Sequence, residues 1–136
     1  KELRRVVEEL KGAGVLVSLF VDADESALVA ANDVGADAVE IHTGRYASAS
    51  TDAERVHAYV AVSRAAATAR ALGMRVHAGH GLDYANVSRI AALSDVEEVN
   101  IGFAIVARSV FTGLERAVRE MRDRVVRARS DEAPTP

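Results

Sequence analysis

The sequence predicts an α/β fold built on a parallel sheet. Two observations carry that reading. Four short apolar runs alternate with helix-patterned segments along the 136 residues, and such alternation implies parallel strands joined by right-handed crossovers. Hydrophobic residues make up 49% of the chain and alanine alone fills 26 positions. That suffices for one core with closely packed helices, and the length favours a single domain.

The elements follow in order. Glu2–Leu10 places Leu3, Val6, Val7 and Leu10 at helical spacing and stops at Gly12 and Gly14. Val15–Val21 is brief and apolar, as expected of a strand covered on both faces. Glu25–Val34 reads as a helix, with Asp22 and Asp24 as cap candidates and Gly35 as its stop. Ala38–His42 is the second strand. Thr51-Asp52-Ala53-Glu54 matches a capping box, and the helix it opens runs to Gly73. Met74–Ala78 is the third strand, Tyr84–Leu93 a shorter helix, and Val99–Ile101 the fourth strand. Phe103–Val110 reads as a short helix ahead of a long one over Thr112–Arg129. Ser130–Pro136 is polar and contains proline, so the domain is expected to span 1–129 with a disordered tail over 130–136.

Composition removes several function classes. The net charge is −3, aromatics are 4% and Trp is absent, so neither a basic field nor a stacking platform for nucleic acid is present. The lack of Cys excludes disulfides, thiolate metal sites and a cysteine nucleophile. No apolar run approaches the roughly 20 residues of a membrane span, and Lys1–Glu9 is a charged helix pattern rather than a signal peptide. A soluble cytoplasmic protein without a membrane partner is expected.

Two architectures fit the element order: an open doubly wound sheet, or part of a TIM (βα)8 barrel. A full barrel needs about 250 residues. Four parallel strands alone would also leave two long apolar edges, which proteins usually pair or cover. The chain therefore reads as a half-barrel, the C-terminal half of something larger or a half that needs a partner.

In such folds ligands bind where parallel strands end. The four strand ends here carry Asp22-Ala23-Asp24, Glu40-Ile41-His42-Thr43-Gly44, His77-Ala78-Gly79-His80-Gly81 and Asn100-Ile101-Gly102-Phe103. Alternation puts Ala38, Glu40 and His42 on one face and Val39 and Ile41 on the other, with the apolar pair toward the helices. The same count groups Val76, Ala78 and His80 and turns His77 toward the helix layer. Strands lie about 4.8 Å apart, so Glu40 and His80 are expected to line one pocket. A carboxylate beside an imidazole favours the protonated ring, which can then act as a general acid. The alternative for either residue is a buried ion pair or a hydrogen-bonded core group. Gly81, Gly102 and the Phe103 backbone at the start of a short helix suit a phosphate cradle; the alternative is that the glycines serve tight turns.

His42 stands two residues beyond Glu40 on the same face and is a further pocket candidate. His57 is expected on a helix surface. No metal site is expected, because no His pair has helical ligand spacing. Arg116, Arg119, Arg122, Arg124, Arg127 and Arg129 alternate with acidic residues, the pattern of a solvated face or a subunit contact. A Schiff-base aldolase is disfavoured, since Lys1 and Lys11 are the only lysines and neither ends a strand. Another phosphate-handling barrel enzyme, or a half-barrel that binds phosphate without catalysis, remains open at this point.

The segments Val17-Ser18-Leu19-Phe20-Val21-Asp22-Ala23-Asp24, Glu40-Ile41-His42-Thr43-Gly44-x-Tyr46-Ala47, Ala78-Gly79-His80-Gly81-Leu82 and Asn100-Ile101-Gly102-x-Ala104-Ile105 resemble, in order and spacing, the pyridoxine 5′-phosphate synthase family. The resemblance implies the last four βα units of a TIM barrel, preceded by the fourth helix. It also implies condensation of 3-amino-2-oxopropyl phosphate with 1-deoxy-D-xylulose 5-phosphate, giving pyridoxine 5′-phosphate, inorganic phosphate and water, without metal or organic cofactor. Carried over by position, Glu40 would stabilise a transition state and His80 would donate a proton. Gly81, Gly102 and Phe103 would hold the aminooxopropyl phosphate. Phe103 departs from the family's usual His. The family's general-base residues and sugar-phosphate site belong to an N-terminal half not in this chain, so the chain alone is expected to be inactive and to need that half. The family also implies a homo-oligomer.

Overall fold

A computed structural model describes residues 1–131. The elements are α1 (Glu2–Gly12), β1 (Ser18–Val21), α2 (Glu25–Asp33), β2 (Ala38–His42), α3 (Gly44–Ala47), α4 (Asp52–Ala71), β3 (Arg75–Gly79), α5 (Val87–Ala91), β4 (Glu98–Asn100), α6 (Phe103–Thr112) and α7 (Leu114–Asp131). The four strands form one parallel sheet in the order β1-β2-β3-β4. Each crossover returns the chain to the neighbouring position, so the sheet grows in one direction only. β1 and β4 are its edges.

The predicted element types hold, and the departures have local causes. β1 begins at Ser18 rather than Val15 because the backbone before it is committed elsewhere. The Val15 N–H closes the end of α1 on the Leu10 carbonyl, and the Val17 N–H donates to Asp37 Oδ2 at 2.9 Å. β3 and β4 are each displaced by one residue from their expected spans. α5 starts at Val87 instead of Tyr84 because Asp83 Oδ1 takes the Ala85 and Asn86 N–H groups, and Asn86 Oδ1 takes the Asp83 N–H. Such side-chain turns compete with the first helical turn. The last two helices are separated at Gly113, where φ is +82°, so the long one opens at Leu114. It continues to Asp131, two residues into the segment expected to be a tail; the rest of that expectation, 132–136, lies outside the described residues. The single-turn α3 was not anticipated.

The register decides which residues the helices cover. Leu19, Val39, Val76 and Ala78 with Val99 occupy one face, and so do Val21 and Ile41. Val39, Ile41, Val76 and Ala78 are fully buried, packed in one cluster with Leu28, Tyr46, Val62, Ala66, Ala69, Ile90 and Val96. Each fully buried Val or Ile contributes roughly 1.5–3 kcal/mol. The Tyr46 hydroxyl bonds the Asn86 carbonyl at 2.8 Å, and burial raises its pKa. The other face carries Ser18, Phe20, Glu40, His42, Arg75, His77, Glu98 and Asn100, a row polar except for Phe20, in which the edge-strand members are exposed. Thr51 and Glu54 complete the predicted capping box of α4. The outer Arg face of α7 is paired along its own helix, Arg116 with Glu120 and Arg119 with Glu115. Among the described residues, no helix is long and apolar enough to cross a membrane.

Asp37 ties α1 to the sheet. Its carboxylate meets Lys11 Nζ at 2.8 Å and accepts the Val17 N–H. The Lys11 hydrogen bond, then that of Val17, holds its pKa below the usual carboxylate range. A depressed folded value means that the unfolded chain binds more protons as acid is added. The stabilisation is therefore complete above about pH 4 and fades as pH falls through the folded value. Urea melts should show a shallower acid-side fall in stability for Asp37→Asn than for the parent; identical slopes would assign the acid sensitivity elsewhere.

Candidate active site

Glu40 sits on the polar face of β2, registered against Phe20 of β1 and His77 of β3. Its carboxylate reaches across β3 because Gly79 presents no side chain. A methyl group on Gly79 would lie 3.1 Å from Glu40 Cδ and 3.2 Å from Asn100 Cβ, and would run into Glu40 Oε1. Beyond that gap, Glu40 Oε2 accepts a hydrogen bond from Asn100 Nδ2 at 2.8 Å. β2, β3 and β4 thus share one polar layer: an acid, a bare backbone and an amide. Sequence reasoning placed Asn100 at a strand end without giving it a role. The signal was the glycine between two polar strand ends.

His80 reaches the same face by a route that alternation does not contain. Val76 and Ala78 pack against the helices, so a period-two count would send His80 there too. Instead His80 has φ +80°. Its ring lies 4.6 Å from that of His42 and 6.4 Å from that of Phe20, centroid to centroid, and both of those residues are on the Glu40 face. His80 does share the face of Glu40, but the face grouping behind that expectation was wrong, and the single pocket expected to hold both is not formed. Glu40 does not wall the cavities that His80 lines and meets the nearer one only through Asn100. His77 corrects the same count. It faces the Glu40 side, not the helices, with Nδ1 3.9 Å from Glu98 Oε1 and Nε2 buried without a hydrogen-bond partner among the described residues.

A cavity of about 920 Å³ opens between the ends of β3 and β4, walled in part by His80, Gly81, Asn100, Gly102 and Phe103. The expected proton donor and the expected cradle therefore face one space. Gly81 is needed there, since its φ is +76° and a Cβ would come 2.8 Å from Ala47 Cβ. Gly102 is under no such demand: φ is −107° and a Cβ would meet open space. It precedes the first turn of α6, which carries no side-chain cap. The free N–H groups of such a turn suit an anion. Phe103, the first residue of α6, is 89% exposed, and its backbone N–H belongs to that open turn.

The two aspartates after β1 separate. Asp24 caps α2 through Ser26 and Ala27, and the Ser26 hydroxyl leads these bonds in lowering its pKa. Asp22, expected to share the capping, stands beside His42 with Oδ1 3.5 Å from Nδ1. A second cavity, about 550 Å³, lies outside this pair toward Arg45 and His57.

Comparison with known proteins agrees with the strand-end pattern. Residues 1–127 match the family described as pyridoxal phosphate biosynthesis protein PdxJ. A curated relative, pyridoxine 5′-phosphate synthase of Synechococcus sp. (strain JA-2-3B'a(2-13)), is 52% identical over 120 residues, covering 88% of this chain and 50% of the relative. The chain thus spans about half the length of that relative. Its fold is shared by a chain in the crystal structure of the Amycolatopsis orientalis BexX/CysO complex, with a TM-score of 0.67 at 16% identity over 98% of this chain and 52% of that one. A match that runs through every strand of the sheet, together with a relative 52% identical over the 120 aligned residues, is decisive: the chain belongs to the PdxJ family of pyridoxal phosphate biosynthesis proteins.

Proposed function

We propose that this chain is the C-terminal half of a TIM (βα)8 barrel. Completed by its N-terminal half, it condenses 3-amino-2-oxopropyl phosphate with 1-deoxy-D-xylulose 5-phosphate to pyridoxine 5′-phosphate, phosphate and water. The observation that carries this reading is the cavity that His80, Gly81, Asn100 and Gly102 wall at the carboxyl ends of adjacent parallel strands, with Glu40 hydrogen-bonded to Asn100 beside it. The family match, the half-length coverage and the two unpaired sheet edges support the half-barrel.

In this reading His80 is the proton donor. Hydroxide is a poor leaving group, so the steps that expel water need an acid at the departing oxygen. Glu40, held by Asn100, places negative charge where cationic character develops on the substrates. Gly81, Gly102 and Phe103 hold the aminooxopropyl phosphate through backbone N–H groups, which tolerates Phe where the family usually has His. No metal or organic cofactor takes part. The completed enzyme acts in the cytoplasm as a homo-oligomer.

The purified chain should yield no pyridoxine phosphate alone and should do so when mixed with a separately made N-terminal half. Turnover by the chain alone would refute the half-enzyme reading. Titration of the mixture with inorganic phosphate tests the cradle. Gly102→Asp should weaken binding about tenfold or more through charge repulsion, with the fold intact because the added side chain enters open space. Unchanged affinity would discard the cradle.

A further inference from the structure

His80 is the one non-glycine residue with positive φ among the described residues. A side chain in that region meets its own backbone, so the conformation persists only where surrounding groups hold it. The group in contact here is Thr43, the one fully buried polar side chain among the described residues. Its Oγ1 lies 2.7 Å from both the Gly79 and the His80 carbonyl oxygens. A hydroxyl has one proton to give. The Gly79 carbonyl already receives the Thr43 N–H at 2.8 Å, so the hydroxyl proton is best used on His80. On the other side the His80 ring rests against that of His42. Gly44 leaves the room for both: a Cβ there would stand 2.6 Å from His42 Cε1 and 3.2 Å from His80 Cδ2. His42-Thr43-Gly44 is thus a mould for the turn that follows β3.

We propose that Thr43 is a positioning residue for His80: its buried hydroxyl holds the His80 peptide in the left-handed conformation that swings the imidazole from the helix side of the sheet to the Glu40 side. Thr43 does not touch the cavity and acts only through His80. The catalytic consequence rests on the reading of His80 as proton donor; the placement of the ring does not.

The test compares Thr43→Val, which keeps the shape and removes the hydroxyl, with Thr43→Ser, which keeps the hydroxyl, in the full chain. NMR reads φ at residue 80 from coupling constants and the ring position from contacts between the His80 and His42 ring protons. The parent and Thr43→Ser should retain positive φ and the ring contacts, and Thr43→Val should lose both. With the N-terminal half present, Thr43→Val should lower kcat about 10- to 100-fold with little change in KM, and Thr43→Ser should recover most of it. Positive φ and intact ring contacts in Thr43→Val would overturn the proposal. If that variant does not fold, the parent decides: a slowly exchanging Thr43 hydroxyl proton is expected, and a rapidly exchanging one or a negative φ at His80 would overturn it. Turnover unaffected by His80→Asn would refute the proton-donor reading alone, because the ring contacts report position without reference to catalysis.

Discussion

His80→Asn is expected to lower kcat of the reconstituted enzyme by about 10²–10⁴-fold, the usual worth of a positioned acid. The substitution is chosen to isolate the proton. Asparagine tolerates left-handed backbone better than other residues with a Cβ, so the turn after β3 keeps its φ of +80°. Residue 80 is exposed at the cavity, so no core packing is lost. KM should change little, because phosphate is held by the neighbouring backbone. Steady-state kinetics on the mixed halves check this. A loss smaller than tenfold would remove His80 from the proton-transfer role.

Gly79→Ala is expected to separate site from fold. The added methyl group runs into Glu40 Oε1, the tip of a flexible side chain, and lies 3.2 Å from Asn100 Cβ. The clash is most easily relieved by moving the carboxylate off Asn100, so the fold loses only about 1 kcal/mol, the low end for overpacking. The site loses more. Displacing a charged group by an ångström or so costs on the order of 10²-fold in turnover. Urea denaturation measures the first effect, kinetics the second, and the Asn100 side-chain amide resonances the lost hydrogen bond. Parent-like amide shifts and turnover would show that the glycine gap is not what places Glu40.

Much of this molecule was legible in its residues. Ala38–His42 was bounded as observed, because five consecutive residues alternate cleanly between helix-facing and open sides. Thr51 and Glu54 marked the start of α4, since a capping box satisfies its donors within four residues and needs no distant partner. One rule, that parallel strands deliver their ends to a common rim, put His80, Gly81, Gly102 and Phe103 on one cavity wall, but Glu40, expected in that pocket with His80, meets it only through Asn100. The errors were of another kind. His77 was turned to the wrong face, and His80 was grouped with the residues the helices bury. The face of Met74–Ala78 was inferred without its register, and a one-residue change of register exchanges the faces.

Local pattern therefore determined which elements form apart from the single-turn α3, in what order, and which residues end the strands; these depend on period, capping and turn chemistry within a few positions. Tertiary structure alone decided where those side chains point. Register joined Glu40 to Asn100 across a bare Gly79, and a hydroxyl 37 positions away in the chain meets the carbonyl of the turn that carries His80. Contacts of that span leave no periodic trace in the sequence, because they depend on how strands separated by whole helices come to lie side by side.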